Sequence, residues 1–135
     1  MLGRTDAEAI CAALEAAWNA GDGAAFAANF AEDADFVNVL GHHARGRAEI
    51  AVGHQGIFEG VYKGSRNRLQ VEDLRSLGGS LSLMHVAAAL EVPEGPMAGT
   101  HRALMSVVVD DAGTAPRIVA LHNTFVRDMP GGRPN

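Results

Sequence analysis

The sequence predicts an α+β fold, with three helices in the first half of the chain and a sheet of long strands in the second. Three observations carry this. In three stretches before Tyr62, apolar residues return every third or fourth position, the spacing of one helix face. From Arg66 onward the period falls to two, the spacing of a strand. Between the two regimes His54 stands inside the apolar stripe of Ile50, Ile57, Phe58 and Val61, while Glu49, Gln55 and Glu59 fall off it. An unpaired ring nitrogen buried there costs about 1–3 kcal/mol, so His54 needs a partner from the protein, water or a ligand. Gly53, Gly56 and Gly60 each weaken that helix by about 1 kcal/mol against alanine, which packing on a sheet has to offset. A helix lying over a cavity satisfies both demands.

The elements follow in order. Thr5-Asp6-Ala7-Glu8 has the capping-box pattern, with Thr5 as N-cap and Glu8 reaching back. Ala7, Ile10, Cys11, Leu14, Ala17 and Trp18 then form one amphipathic face, and Gly21 fits the left-handed position that ends the helix. Asp22 caps a second, short helix with Phe26 and Phe30 on one side, closed by Glu32-Asp33. Residues 35–40 alternate as a strand, Gly41 turns it, and 42–45 make a short return before the third helix, 47–62. The long strands are 67–77, 81–92, 100–110 and 117–127, separated by Gly78-Gly79, by Pro93-Glu94-Gly95-Pro96 and by Asp111-Ala112-Gly113. Residues 1–127 are expected to form one domain, with 128–135 as a loose tail.

Both parities of these strands are apolar: Met105, Val107 and Val109 face one way, Leu104, Ser106 and Val108 the other. A sheet with one wet face would alternate cleanly, so both faces are covered. The helices cover one. A second copy of the chain is the expected cover for the outer face, giving a homodimer.

Composition narrows the partners. At 135 residues the chain has room for one core, and 47% hydrophobic with 20% charged residues describes a globular protein. A net charge of −5 leaves no basic stripe for nucleic acid. The arginines Arg45, Arg47, Arg66 and Arg68 read as solvating charges around a helix. One cysteine excludes an internal disulfide, and Cys11 among alanines is a small core residue rather than a nucleophile. With no leader pattern and no apolar run of membrane-spanning length, the expectation is a cytoplasmic protein without a membrane partner.

The stretch Asp35-Phe36-Val37-Asn38-Val39-Leu40-Gly41, followed by Arg45-Gly46-Arg47-Ala48-Glu49-Ile50 and His54, resembles the SgcJ/EcaC-type branch of the nuclear transport factor 2-like, or cystatin-like, superfamily. Trp18-Asn19-Ala20-Gly21-Asp22, Arg117-Ile118-Val119-Ala120 and Asn123 look like the same branch, close to SnoaL-like polyketide cyclases and related to steroid delta-isomerases. The resemblance spans about residues 6–126 and implies a conical half-barrel. In it, three helices pack on a strongly curved antiparallel sheet around an internal pocket, in a dimer. Members of the branch are often described as oxidoreductases or as proteins of unknown function. No glycine-rich nucleotide fingerprint follows a strand here, so no cofactor is expected. The related isomerases and cyclases use an acidic base with a tyrosine, acid or histidine to stabilise an enolate. The only tyrosine, Tyr62, stands late on the third helix, outside the isomerase pattern.

The candidates for chemistry are therefore few. His54, His85 and Asp35 are the expected proton-transfer groups, because an imidazole in an apolar pocket stays neutral near pH 7 and an aspartate can orient it or act itself. Trp18, Asn38, Phe58, His122 and Asn123 are the expected substrate contacts, with the inward parity of the strands left open between His122 and Asn123. His42 and His43 are placed at the pocket mouth and His101 at solvent or an interface. Six histidines raise the question of a metal, but no helical His-x3-His occurs and none is expected. The expected activity is isomerisation, cyclisation or dehydration of a hydrophobic carbonyl compound. The alternative is a non-catalytic binding protein of a biosynthetic pathway, or a dimerisation scaffold whose cavity is filled by its own side chains.

Overall fold

The computed structural model describes residues 1–131. Its elements are α1 (Arg4–Ala20), α2 (Gly23–Ala27), β1 (Phe30–Val37), β2 (His43–Arg45), α3 (Arg47–Glu59), β3 (Arg66–Gly78), β4 (Leu81–Val92), β5 (Gly99–Asp110) and β6 (Arg117–Phe125). The six strands make one curved, unclosed sheet in the order β2-β1-β6-β5-β4-β3. Of the expected tail, residues 132–135 lie outside the described residues, and 128–131 add no helix or strand.

Strand alternation buries one face of the sheet. Met84, Val86, Ala88 and Leu90 on β4, Ala103, Met105, Val107 and Val109 on β5, and Ile118 and Leu121 on β6 point under the helices. Pairing shifts by one residue in β3, between Val71 and Asp73, and in β6, where Val119 is the extra residue opposite Val108 and Val109 of β5. Such bulges bend a strand and increase its twist, which curves the sheet around the helices.

The sheet is not purely antiparallel, contrary to the sequence expectation. β1 runs parallel to β6, with Phe36 beside Leu121 and both side chains buried. Periodicity fixes which residues face inward but not the direction of a neighbour, so this pairing has no signature along the chain.

Three helix boundaries also differ. Helix α1 begins one residue before Thr5: Gly3 is its N-cap, and the Asp6 carboxylate accepts the Gly3 N–H at 3.2 Å. Leu2 is only 1% exposed, and burying it fixes the chain entry at Gly3. Helix α2 stops before Phe30, because the Asn29 side chain bonds the carbonyls of Ala25 and Phe26 and the Asn29 carbonyl accepts Ile118 N–H from β6. Phe30 therefore enters the sheet, and Glu32 and Asp33 lie within β1 rather than closing a helix. Helix α3 ends at Glu59, leaving Tyr62 in the following turn with its N–H on the Ile57 carbonyl at 2.8 Å.

Two glycines set the position of α3. Gly21 takes φ 66°, the left-handed conformation that turns the chain from α1 into α2, where the Asp22 carboxylate accepts Ala25 N–H at 3.0 Å. At Gly23 a Cβ would stand 2.5 Å from the Ala51 carbonyl oxygen and 2.7 Å from the Gln55 nitrogen. Only glycine lets α2 and α3 approach so closely, and the Gly23 N–H donates to the Gln55 side chain at 2.8 Å. Gly53 and Gly56 face open space instead, so their missing side chains do not serve packing on the sheet.

Candidate functional site

A cavity of about 190 Å³ lies between the inner sheet face, the end of α1 and α3. A second depression of about 540 Å³ runs along α3 and β2, and His54 borders both.

His54 is buried at 6% exposure. Its ring stacks on Phe26 at 4.1 Å between centroids and meets Phe36 edge-on at 4.7 Å. Nδ1 donates to the Ile50 carbonyl one turn back, at 2.8 Å. That bond fixes the proton on Nδ1 and leaves Nε2 as the lone-pair nitrogen, with no hydrogen-bond partner among the described residues. Burial lowers its pKa from 6.5 to about 4, against the smaller upward pull of the Ile50 carbonyl. The imidazole is neutral at pH 7.

Trp18 is held against the cavity wall by its indole N–H, which donates to the buried Ser65 hydroxyl at 2.9 Å. Tyr62 packs on that indole at 5.7 Å, and burial raises its phenol pKa, so it remains a hydrogen-bond donor. Phe58 packs behind, 4.9 Å from the Trp18 ring, and does not line the cavity; its expected substrate contact is replaced by a supporting one. Asn38 does line the cavity, but its side-chain oxygen is committed to the turn that follows β1, accepting from Leu40 and His42 N–H at 2.9 Å each.

The strands settle the parity left open by the sequence. Asn123 points into the cavity and His122 outward, so His122 makes no contact there. His85 also lies on the outer face, where Nδ1 meets the Asp73 carboxylate at 2.8 Å. Asp35 is outward as well, 2.7 Å from His43 Nε2. Neither converges with His54. The reason is register: His85 and Asp35 occupy the opposite parity from Met84, Val86, Ala34 and Phe36, which fill the core. The His85 hydrogen bond holds the Asp73 carboxyl below the usual carboxylate range.

Three polar residues of the cavity went unrecognised in the sequence. His101, expected at solvent or an interface, lines the cavity and donates Nε2–H to the Met97 carbonyl at 2.7 Å. Its parity with Ala103 and Met105 was the available signal. Tyr62 and Asn67 also line the cavity, as does His42, which the sequence placed at the pocket mouth. Among the described residues no aspartate, glutamate, lysine or arginine lines this cavity. Nor do three or more histidine, cysteine or acidic side chains gather as metal ligands among them. Cys11 is buried in the α1 core, its thiol pushed up to about 11 chiefly by burial, which makes it a poor nucleophile. Among the described residues no helix is long and apolar enough to cross a membrane.

No protein-family model matches the chain, and no curated protein matches it. Solved structures do. A domain of unknown function with a cystatin-like fold from Nostoc punctiforme is 35% identical, with 96% of this chain and 81% of that one covered and a TM-score of 0.80. An uncharacterized protein with a cystatin-like fold from Caulobacter vibrioides is 25% identical, covering 93% and 90%, at a TM-score of 0.76. A ketosteroid isomerase-like protein from Erwinia carotovora atroseptica shares the fold alone, at 14% identity, 93% and 99% coverage and a TM-score of 0.75.

Proposed function

The chain belongs to the cystatin-like, nuclear transport factor 2-like superfamily, and on that premise we propose that it binds a hydrophobic carbonyl metabolite in the cavity and moves a proton on it. The single observation behind this reading is the state of His54, a neutral imidazole whose Nδ1–H is tied to Ile50 and whose Nε2 is free beside the cavity. In this mechanism Nε2 takes a proton from the carbon next to the carbonyl, the Tyr62 phenol donates to the enolate oxygen, and the proton returns at another carbon. A base whose conjugate acid titrates near about 4 accepts protons weakly. The substrate is then one with an already acidic position, such as a carbon between two carbonyls. Such 1,3-dicarbonyls are polyketide-like, in keeping with the resemblance of Trp18 to Asp22 and Asp35 to Gly41 to the SgcJ/EcaC-type branch.

Hydrogen–deuterium exchange at the central carbon of pentane-2,4-dione, an acyclic 1,3-diketone that is uncharged at pH 7, followed by NMR, tests this. The protein should accelerate exchange, and His54→Ala should lower the acceleration by about 10²–10⁴-fold with an unchanged circular dichroism spectrum. An undiminished rate in the variant removes His54 from the chemistry. A second reading, non-catalytic sequestration, is favoured by the lack of any carboxylate in the cavity lining among the described residues. It predicts that the diketone binds but exchanges only at the buffer rate.

The proposal includes a homodimer through the outer sheet face. Leu83, Val108 and Ala120 form one apolar row there by strand register, with Arg75 and Asp35 at its ends, and the polar row of His85, Ser106 and His122 separates it from Ala87 and Leu104. Leu104 is 40% exposed in the single chain. Mixed charge around an apolar patch is self-complementary, as a two-fold interface requires.

A further inference from the structure

We infer that the ligand of the cavity carries an apolar arm, which passes His54 and lies in the depression along α3. This rests on the proton-transfer reading and names its substrate class, a 1,3-dicarbonyl with a long alkyl chain on one carbonyl. The two hollows adjoin, since Phe36, Asn38, His42, His54 and Ile57 border both. At about 190 Å³ the inner one falls below the roughly 300–1,000 Å³ of drug-sized pockets, which suits the dicarbonyl head alone. The outer one, at about 540 Å³, leaves space for more. His54 is 6% exposed, has no hydrogen-bond partner on Nε2 among the described residues, and stands where the two meet. A carbon held there between two carbonyls sends one arm toward Tyr62 and the other along α3.

The outer depression has the chemistry of an alkyl site. Ala44, Ala48, Ile50 and Gly53 border it. Of its polar side chains, Glu49 accepts the Arg45 N–H at 3.0 Å and His43 Nε2 meets Asp35 at 2.7 Å, so both are engaged by their own neighbours. Large apolar side chains stand in water at both mouths. Val52, 74% exposed, borders the depression, and Leu40, 70% exposed, borders the cavity. An apolar arm covers them favourably. The same arm gives the glycine at 53 a reason. A Cβ there would meet nothing within 4 Å, so no neighbour demands glycine, and glycine weakens a helix against an ordinary side chain. A larger residue would instead fill the space where the arm lies. From Ala48 to Ile57 the depression follows α3 for about 13 Å at about 1.5 Å per residue, enough for a medium-length alkyl chain.

Isothermal titration calorimetry on the full chain with pentane-2,4-dione, heptane-2,4-dione and nonane-2,4-dione tests this, beside exchange at the central carbon of each. Nonane-2,4-dione should bind at least about tenfold more tightly than pentane-2,4-dione, as the added methylenes give when about half buried. Gly53→Leu, which fills the depression, should cut that ratio to within about twofold; Ala48→Leu offers the same comparison where Gly53→Leu does not fold. Equal affinities in the wild-type protein overturn the arm, while accelerated exchange of pentane-2,4-dione still upholds the site. An affinity ratio undiminished in both variants puts the arm elsewhere and overturns the inference as well. No binding of any dione, with exchange at the buffer rate, overturns both readings.

Discussion

The two faces of the sheet use the same residue type to opposite ends. On the inner side His54 sits among aromatic rings, bonded to its own helix and held neutral. On the outer side His85 and His43 stand partly in water against Asp73 and Asp35. What separates them is not the imidazole but its surroundings. A backbone carbonyl in an apolar shell cannot repay the loss of water around a cation, whereas a carboxylate at the surface needs no such repayment. The inner face therefore offers a lone-pair nitrogen to the cavity, and the outer face offers histidine–carboxylate hydrogen bonds to solvent.

The contrast can be broken most forcefully by truncating the aromatic shell. Phe26 is 4% exposed and stacks on both His54 and Phe30. Phe26→Ala should cost about 3–5 kcal/mol in urea unfolding, and a loss under about 1 kcal/mol would show that the shell does not hold the imidazole.

Acid should separate the faces next. Unfolded, His54 titrates near 6.5; folded, near about 4. Between those values the unfolded chain holds more protons, so this contribution is complete above pH 6.5 and is lost as the pH falls toward 4. At about 1.36 kcal/mol per pH unit the loss is about 3 kcal/mol, measured as denaturant midpoints across that window. His54→Gln should flatten the profile. An equal slope in the variant would place the titration elsewhere.

On the outer side, Leu104→Glu should convert a two-chain particle to a single chain in light scattering, because it replaces an exposed apolar side chain of the proposed interface by a charge. A wild-type protein already of one chain, or a variant still of two, ends that assignment. The smallest effect belongs to the surface pair. His85→Ala should leave the denaturant midpoint at pH 7 nearly unchanged, since an exposed histidine–carboxylate contact competes with water and salt. Below the ordinary carboxylate range the Asp73 contribution, present at higher pH, disappears as its carboxyl protonates.

Much of this was legible along the chain. The stripe from Ile50 to Phe58 located α3 and put His54 inside, and Leu81–Val92 was bounded as the structure has it. The capping aspartate and the glycine between α1 and α2 were also local features, readable from a few neighbouring residues. The site was less legible. Trp18, Asn38, His54 and Asn123 reach the cavity, while His85, Asp35 and His122 were assigned to it and lie on the far face. Where both parities of a strand are apolar, alternation says that two sets of side chains exist without saying which set is inside.

The sequence by itself determined the α+β class, the order of the helices and long strands, and the burial of His54, because these follow from spacing along one segment. Tertiary structure decided the parallel meeting of β1 with β6, the inward turn of Asn67, His101 and Asn123, and the outward turn of His85 and Asp35. Those depend on how segments far apart in the chain register against one another, and a one-residue slip in that register would send each of these side chains to the opposite face.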